Sequence, residues 1–127
     1  MIMSGINKVI LVGHIGKEPD LRRLSDGIAV MSFPLATSEN ISRDGGKVEI
    51  TEWHNIVMWR GTAESAYKLL KKGILIYIEG KIRTRNFLDK EGIKKYTTEI
   101  VVDHFTLLGR KSDFANTDEV INPTINL

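Results

Sequence analysis

Apolar side chains recur at every second position over most of the chain, which is the period of β-strands. This pattern predicts five strands: Lys8–Gly16, Ile28–Ser38, Val48–Trp59, Ile74–Phe87 and Tyr96–Leu108. Pro34 predicts a bulge or a sheet edge in the second strand, because proline cannot donate to a β-ladder. Asp44-Gly45-Gly46 supplies residues that accept positive φ, so a hairpin tip is predicted over Ser42–Lys47.

A helical period occurs in one segment, Gly61–Gly73. Its apolar positions at i, i+3, i+4 and i+7 are Ala63, Ala66, Tyr67 and Leu70. Thr62 is expected to cap the N-terminus, and Lys71 and Lys72 suit the C-terminal end of the helix dipole. The order β-β-β-α-β-β predicts an all-β fold with one helix. It is the order of a five-stranded Greek-key OB-fold barrel, with the helix between strands 3 and 4.

Composition narrows the classes of function. The 127 residues suffice for one domain with its own core. There is no cysteine, so disulfides and thiolate metal sites are excluded. No segment approaches the roughly 20 apolar residues of a membrane span, and the N-terminus lacks the pattern of a secretion signal. A cytoplasmic protein without membrane attachment is therefore expected.

Chemistry-bearing motifs are scarce. The three histidines, His14, His54 and His104, lie on different predicted strands and lack metal-ligand spacing. The glycines of the first strand are not followed by a helix, so no dinucleotide loop is predicted, and no serine occupies a nucleophile elbow. We therefore expect no enzyme activity, no cofactor and no metal.

Charge divides the chain unevenly. All 18 basic residues but only 13 of the 16 acidic residues lie at or before Lys111, which leaves that part with a net charge of +5. The remainder has three acids and no base, hence −3. We expect a mildly basic OB-fold domain over residues 1–109 and a short, acidic, flexible tail over residues 110–127, a distribution typical of proteins that contact polyanions.

The fourth strand carries an unusual set of side chains on one face. Alternation predicts a buried series consisting of Ile74, Ile76, Ile78, Gly80, Ile82 and Thr84. The other face carries Lys81, Arg83 and Arg85, then the ring of Phe87, with no acid in phase after Glu79. A solvated face normally mixes both signs of charge, so this row indicates a ligand.

The third strand places Trp53 and Trp59 on one face. By themselves they fit equally a buried core or a ligand platform. Beside the cationic row they favour a platform for single-stranded nucleic acid, whose phosphates attract cations and whose unpaired bases stack on rings. A duplex hides those base faces.

Several separated blocks of the chain resemble one known family. They are INKVILVGHIGKEPDLR, ATSEN, TEWHNIVMW, LLKKGILIYIEGKIRTRNF and YTTEIVV. In this order and spacing they resemble the bacterial single-stranded-DNA-binding proteins, over about Gly5–Gly109. The resemblance implies an OB-fold homo-oligomer, usually a tetramer, that coats single-stranded DNA in replication, recombination and repair.

The resemblance also implies roles for individual residues. The family's stacking aromatics correspond to Trp53, Trp59 and Phe87. Its phosphate contacts correspond to Lys8, Arg22, Lys72, Arg83 and Arg85, to which the row on the fourth strand adds Lys81. His54 corresponds to a histidine at subunit contacts, although a satisfied, buried histidine fits its position equally.

Two departures from the family keep alternatives open. Ile41 stands where the family has a stacking tryptophan, so weaker binding or a different strand path is expected. The C-terminus reads DEVINPTINL, without the acidic tip by which the family recruits replication and repair proteins, so the resemblance leaves such partners open, as it leaves open a truncation, a mobile-element version or a paralogue. A primosomal accessory protein acting mainly through protein contacts is the alternative. A sugar-binding barrel is disfavoured by the cations Lys81, Arg83 and Arg85.

Overall fold

Six strands and one helix form the described part of the chain, residues 4–110 of a computed structural model. The elements are β1 (Val9–Ile15), β2 (Asp20–Arg23), β3 (Ala29–Arg43), β4 (Gly46–Trp59), α1 (Arg60–Tyr67), β5 (Ile74–Leu88) and β6 (Lys94–Arg110). Apart from Arg110, the tail expected from 110 to 127 lies outside the described residues.

The strands close into a barrel in the order β1-β5-β6-β4-β3-β2. Closure comes from β1, which pairs with β3 at His14–Ala36 and Ile15–Leu35. The contact between β4 and β6 is parallel, and the other pairs are antiparallel. The predicted all-β OB-fold barrel with one helix is thus confirmed.

The position of the helix in the strand order needs correction. The helix follows β4, because the chain has an additional strand, β2, before the predicted second strand. This strand pairs with Ala29–Ser32 across a tight turn in which Gly27 has φ 85°. Its four residues, Asp-Leu-Arg-Arg, contain one apolar side chain, so alternation had too short a run to reveal it.

The helix is shorter than predicted. It begins at Arg60, which has φ 55°, and no side chain caps it, so the expected cap at Thr62 is wrong. Ala63 and Ala66 are buried, whereas Tyr67, predicted to face the core, is exposed. Lys71 and Lys72 lie beyond its end.

The core lies inside the barrel, where alternate residues of β1, β3, β4 and β5 meet. Its largest fully buried members are Ile15, Met31, Leu35, Ile56, Met58, Leu70, Ile76 and Ile78. Gly80 brings two backbones together, since a Cβ there would lie 2.1 Å from the carbonyl oxygen of Val101. Pro34 does not interrupt the pairing of β3 with β4. On the other edge of β3 it lies between the segment paired with β2 and the segment paired with β1, so the N–H that proline lacks has no strand acceptor there.

Two hairpins extend beyond the barrel. The β3–β4 hairpin turns at Asp44 and Gly45, both with positive φ, as the sequence predicts. The β5–β6 hairpin continues to the Leu88–Lys94 pair, and we call its part from Ile82 to Ile100 the arm. Ile82 and Thr84, predicted to be buried, are exposed because the arm has left the core.

Candidate nucleic-acid interface

One continuous outer face of the sheet carries most of the predicted site residues. Val57 of β4 is in register with Val101 of β6, which in turn is in register with Lys81 of β5. Side chains at even spacing from these three share their face. We call this surface the trough; its predicted members are Trp53, Trp59, Arg22, Lys81, Arg83, Arg85 and Phe87.

Trp53 is the most exposed aromatic side chain of the trough, at 62%. Its ring lies over Gly16, at the end of β1, where a Cβ would come within 2.4 Å of the ring atom Cζ3. Hydrogen at this position therefore allows the indole to lie against the barrel. The ring is presented to solvent rather than sealed in the core.

Trp59 and Arg22 lie at the other end of the trough. Trp59, 41% exposed, is opposite Val30 of β3, which is opposite Arg22 of β2. The Arg22 Nε donates to Asp20 Oδ2 at 2.8 Å between two exposed side chains. Strand β2, which the period did not predict, is therefore what brings Arg22 onto the same face as Trp59.

Strand β5, from Lys81 into the arm, supplies the cationic side of the trough. Lys81 and Arg83 make no side-chain ion pair within residues 4–110, and Phe87 is 43% exposed near the tip. Arg85 differs, because it is paired with Glu99 of β6 at 3.2 Å. The row does have an acid on its face: Glu99 is in register with Arg83, which alternation along β5 alone could not show.

Two predicted phosphate contacts lie at the borders of the trough. Lys8 precedes β1, and its Nζ is 3.4 Å from Glu79 Oε2, close to the Val9–Gly80 pair. Lys72 lies between α1 and β5, where its backbone N–H donates to Glu18 at 3.1 Å. This contact holds it beside the β1–β2 connection, the region against which Trp53 packs.

His54 and Ile41 lie on the opposite face from Trp53. The Nε2 of His54 is 2.8 Å from Thr37 Oγ1, and the ring is partly buried. Ile41 is opposite Val48 on the β3–β4 hairpin. Neither side chain is part of the trough. The weaker binding or different strand path predicted for Ile41 would therefore arise on the β3–β4 hairpin and not in the trough.

A polar network borders the trough on the β1–β5 side. The Tyr77 hydroxyl donates to Glu79 Oε1, and this hydrogen bond raises the pKa of Tyr77 above 10.0. The same bond is the main cause that lowers the pKa of Glu79 below 4.5, with help from Lys8 and His104. Glu79 therefore stays ionised and is engaged with its neighbours.

Sequence reasoning missed the acids of the trough. Glu99 and Asp20 contribute negative charge beside Arg85 and Arg22. Both acids lie on strands whose alignment with the cationic strands is set by the fold. Glu99 lies two residues before Val101, so alternation places the two on one face of β6. That this face is also the face of the arginines follows only from the register between β5 and β6.

Within residues 4–110 no group of His, Asp or Glu is arranged to hold a metal ion. Nor does that range contain a helix of the length and hydrophobicity required to cross a bilayer.

Known proteins are similar to this chain over most of its length. The model of the single-strand binding protein family matches residues 6–108. Single-stranded DNA-binding protein 1 of Xylella fastidiosa is 44% identical over 113 residues, 87% of this chain and 83% of that protein. The single-stranded DNA-binding protein of Neisseria meningitidis serogroup A is 45% identical over 109 residues, 85% of this chain and 63% of that protein.

A solved structure, of the Plasmodium falciparum SSB complex with ssDNA, is similar at a TM-score of 0.76 and 31% identity. The similarity covers 85% of this chain and 99% of that one. The present chain therefore belongs to the single-strand binding protein family.

Proposed function

We propose that this protein binds single-stranded DNA with little sequence preference and coats it during replication, recombination and repair, without catalysing a reaction. The observation that carries the proposal is the trough, where two exposed tryptophans share a face with the cations and the ring of the arm. Membership of the family supports the same ligand. Such a protein works where chromosomal DNA is, in the cytoplasm at the nucleoid.

Binding follows from two additive interactions. Bases stack on Trp53, Trp59 and Phe87, each stack contributing about 1–3 kcal/mol whatever the base. Phosphates are attracted by the cations Arg22, Lys81 and Arg83 within the trough, and by Lys8 and Lys72 at its borders. Displacement of counterions by these side chains makes affinity fall as salt rises.

We also propose that the protein is a homo-oligomer, and the resemblance to the family favours a tetramer. The outer face of β1 exposes Ile10 and Val12, at 55% and 39%. Between Val9 and Gly13 one edge of β1 has no strand partner within the described residues. An unpaired edge with apolar side chains is suited to pairing with a second copy. A subunit contact at His54 rests on the resemblance alone.

Fluorescence titration with poly-dT at low salt tests the proposed function. The chain has two tryptophans and both lie in the trough, so bases that stack on them quench the tryptophan fluorescence without a background from tryptophans elsewhere. We expect quenching that saturates with oligonucleotide and weakens as salt is added. Trp53→Ala should lower affinity at least fivefold and leave the thermal unfolding temperature nearly unchanged, because this ring is exposed.

Emission that stays constant at saturating poly-dT would contradict the proposal. Weak binding together with capture of replication proteins would favour the alternative, an accessory OB-fold module acting through protein contacts. Unfolding of the Trp53→Ala variant would instead assign that tryptophan to the core.

A further inference from the structure

Arg85 and Glu99 form a bidentate ion pair in the trough. The Nε of Arg85 donates to both carboxylate oxygens of Glu99, at 3.3 and 3.2 Å. Its Nη2 donates to Oε2 at 3.2 Å. The Glu99 side chain is only 16% exposed, whereas that of Arg85 is 59% exposed. The carboxylate is thus largely shielded from solvent, whereas the arginine side chain remains open to it.

This pairing changes what Arg85 can do. The Nε–Nη2 edge of arginine is one that binds carboxylate or phosphate with two parallel hydrogen bonds. In this protein Glu99 occupies that edge and neutralises the charge. The flat faces of the guanidinium group are not used by the carboxylate, and such faces stack on nucleic-acid bases.

Arg83 provides the contrast within the same strand. It lies two residues away on the same face and is in register with Glu99, yet its side chain has no ion pair or hydrogen bond within residues 4–110. Its charge and its donors therefore remain available to a phosphate. The two arginines of the row therefore differ in the charge and the donors that they offer to a ligand.

We propose that Glu99 is a positioning residue that converts Arg85 from a phosphate contact into a platform for a base, next to the ring of Phe87. This inference rests on the proposed binding of single-stranded DNA and refines it. Arg83 binds the backbone, Arg85 and Phe87 carry bases, and the net charge of the row is lower than its three cations suggest.

The test measures affinity against salt concentration for four proteins: wild type, Arg83→Gln, Glu99→Gln and the double variant Arg85→Gln/Glu99→Gln. Each is titrated with a dT oligonucleotide and with an abasic oligonucleotide of the same length, which keeps the phosphates but has no bases. The slope of a plot of log K against log salt concentration changes by about 0.7 for each phosphate contact to a single strand. Thermal unfolding of every variant checks the fold.

Arg83→Gln should make the plot shallower by about 0.7, because a phosphate contact is lost. The double variant replaces an ion pair of zero net charge by two uncharged amides, so the slope of its salt plot should equal that of wild type. Its affinity for dT should fall about two- to fivefold, as expected for an exposed stacking cation, and its affinity for the abasic strand should not change. Glu99→Gln alone frees the charge of Arg85, so binding should tighten at low salt and the slope steepen by about 0.7.

A double variant whose slope falls as in Arg83→Gln would overturn the inference, since Arg85 would then bind phosphate. Equal losses on both strands, or no loss on either, would overturn it too. A Glu99→Gln variant identical to wild type would remove the positioning role. Failure of the wild-type protein to bind dT at all would instead refute the proposed function.

Discussion

At the scale of single residues, glycines of the barrel have two different functions. At Gly80 an added Cβ would meet the backbone oxygen of Val101 at 2.1 Å. At Gly16 it would meet the side chain of Trp53 at 2.4 Å. A backbone in a closed sheet cannot move aside, whereas an exposed indole can rotate away. Gly80 therefore serves the fold, and Gly16 serves the position of the Trp53 ring, which we propose to stack on a base.

The two glycines predict different outcomes for the same substitution. Gly80→Ala should lower the free energy of unfolding by about 1–3 kcal/mol, as overpacking does. Gly16→Ala should change it by no more than about 0.5 kcal/mol, while affinity for poly-dT falls several-fold because the Trp53 ring is displaced. Urea unfolding and fluorescence titration measure the two effects. Unchanged affinity in a folded Gly16→Ala protein would show that the orientation of this ring does not matter.

At the scale of elements, the arm presents two different faces. Arg83, Arg85 and Phe87 share the face that continues the trough. The opposite face carries Tyr96, which is 65% exposed and has the Lys94 Nζ 5.7 Å from its ring centroid. Tyr96 is in register with Asn86, so alternation turns it away from Phe87. The exposed rings of Phe87 and Tyr96 thus lie on opposite faces of the same hairpin, and only that of Phe87 faces the trough.

This arrangement offers a matched pair of variants. Phe87→Ala should weaken binding by about 1–3 kcal/mol, the contribution of one stacked base. Tyr96→Ala should have little effect, because its ring lies outside the trough. Both rings are exposed, so neither change should alter the thermal unfolding temperature much. An equal loss of affinity in both variants would mean that the strand passes round the arm rather than along one face.

At the scale of the whole molecule, the trough and the exposed face of β1 lie on the same outer side of the sheet, since Ala36 of β3 is in register with both Trp53 and His14. One supplies cations and rings, and the other supplies Ile10 and Val12 at an open sheet edge. The proposed self-association uses the Val9–Gly13 edge of β1, whereas Trp53 packs against Gly16, beyond the other end of that strand. Several troughs in one assembly would raise the effective concentration of binding sites along a strand.

We expect the double variant Ile10→Lys/Val12→Lys to form smaller species than wild type, because four like charges would meet across a two-fold interface. Light scattering measures the mass against the 14.3 kDa of one chain. Ile82→Lys on the arm, 48% exposed in a similar setting, is the control and should keep the wild-type mass. A wild-type protein that is already monomeric at high concentration would contradict the proposed assembly.

The sequence alone determined where the five long strands lie and which side chains share a face of each of them. Alternation is a local property of the extended backbone, so the common face of Arg83, Arg85 and Phe87 needed no tertiary information. The same holds for Trp53 and Trp59 on β4. The OB-fold order could be predicted because the five long strands share a period of two residues, whereas the helix has the helical period.

Only the tertiary structure decided which strands are neighbours and where each leaves the core. Strand β2 has too few residues for a period, yet it brings Arg22 beside Trp59. Ile82 continues an apolar series but is exposed, because the barrel ends before the strand does. Glu99 is distant from Arg85 in sequence and bonds to it because register, which is set by the packing of the whole sheet, places them side by side.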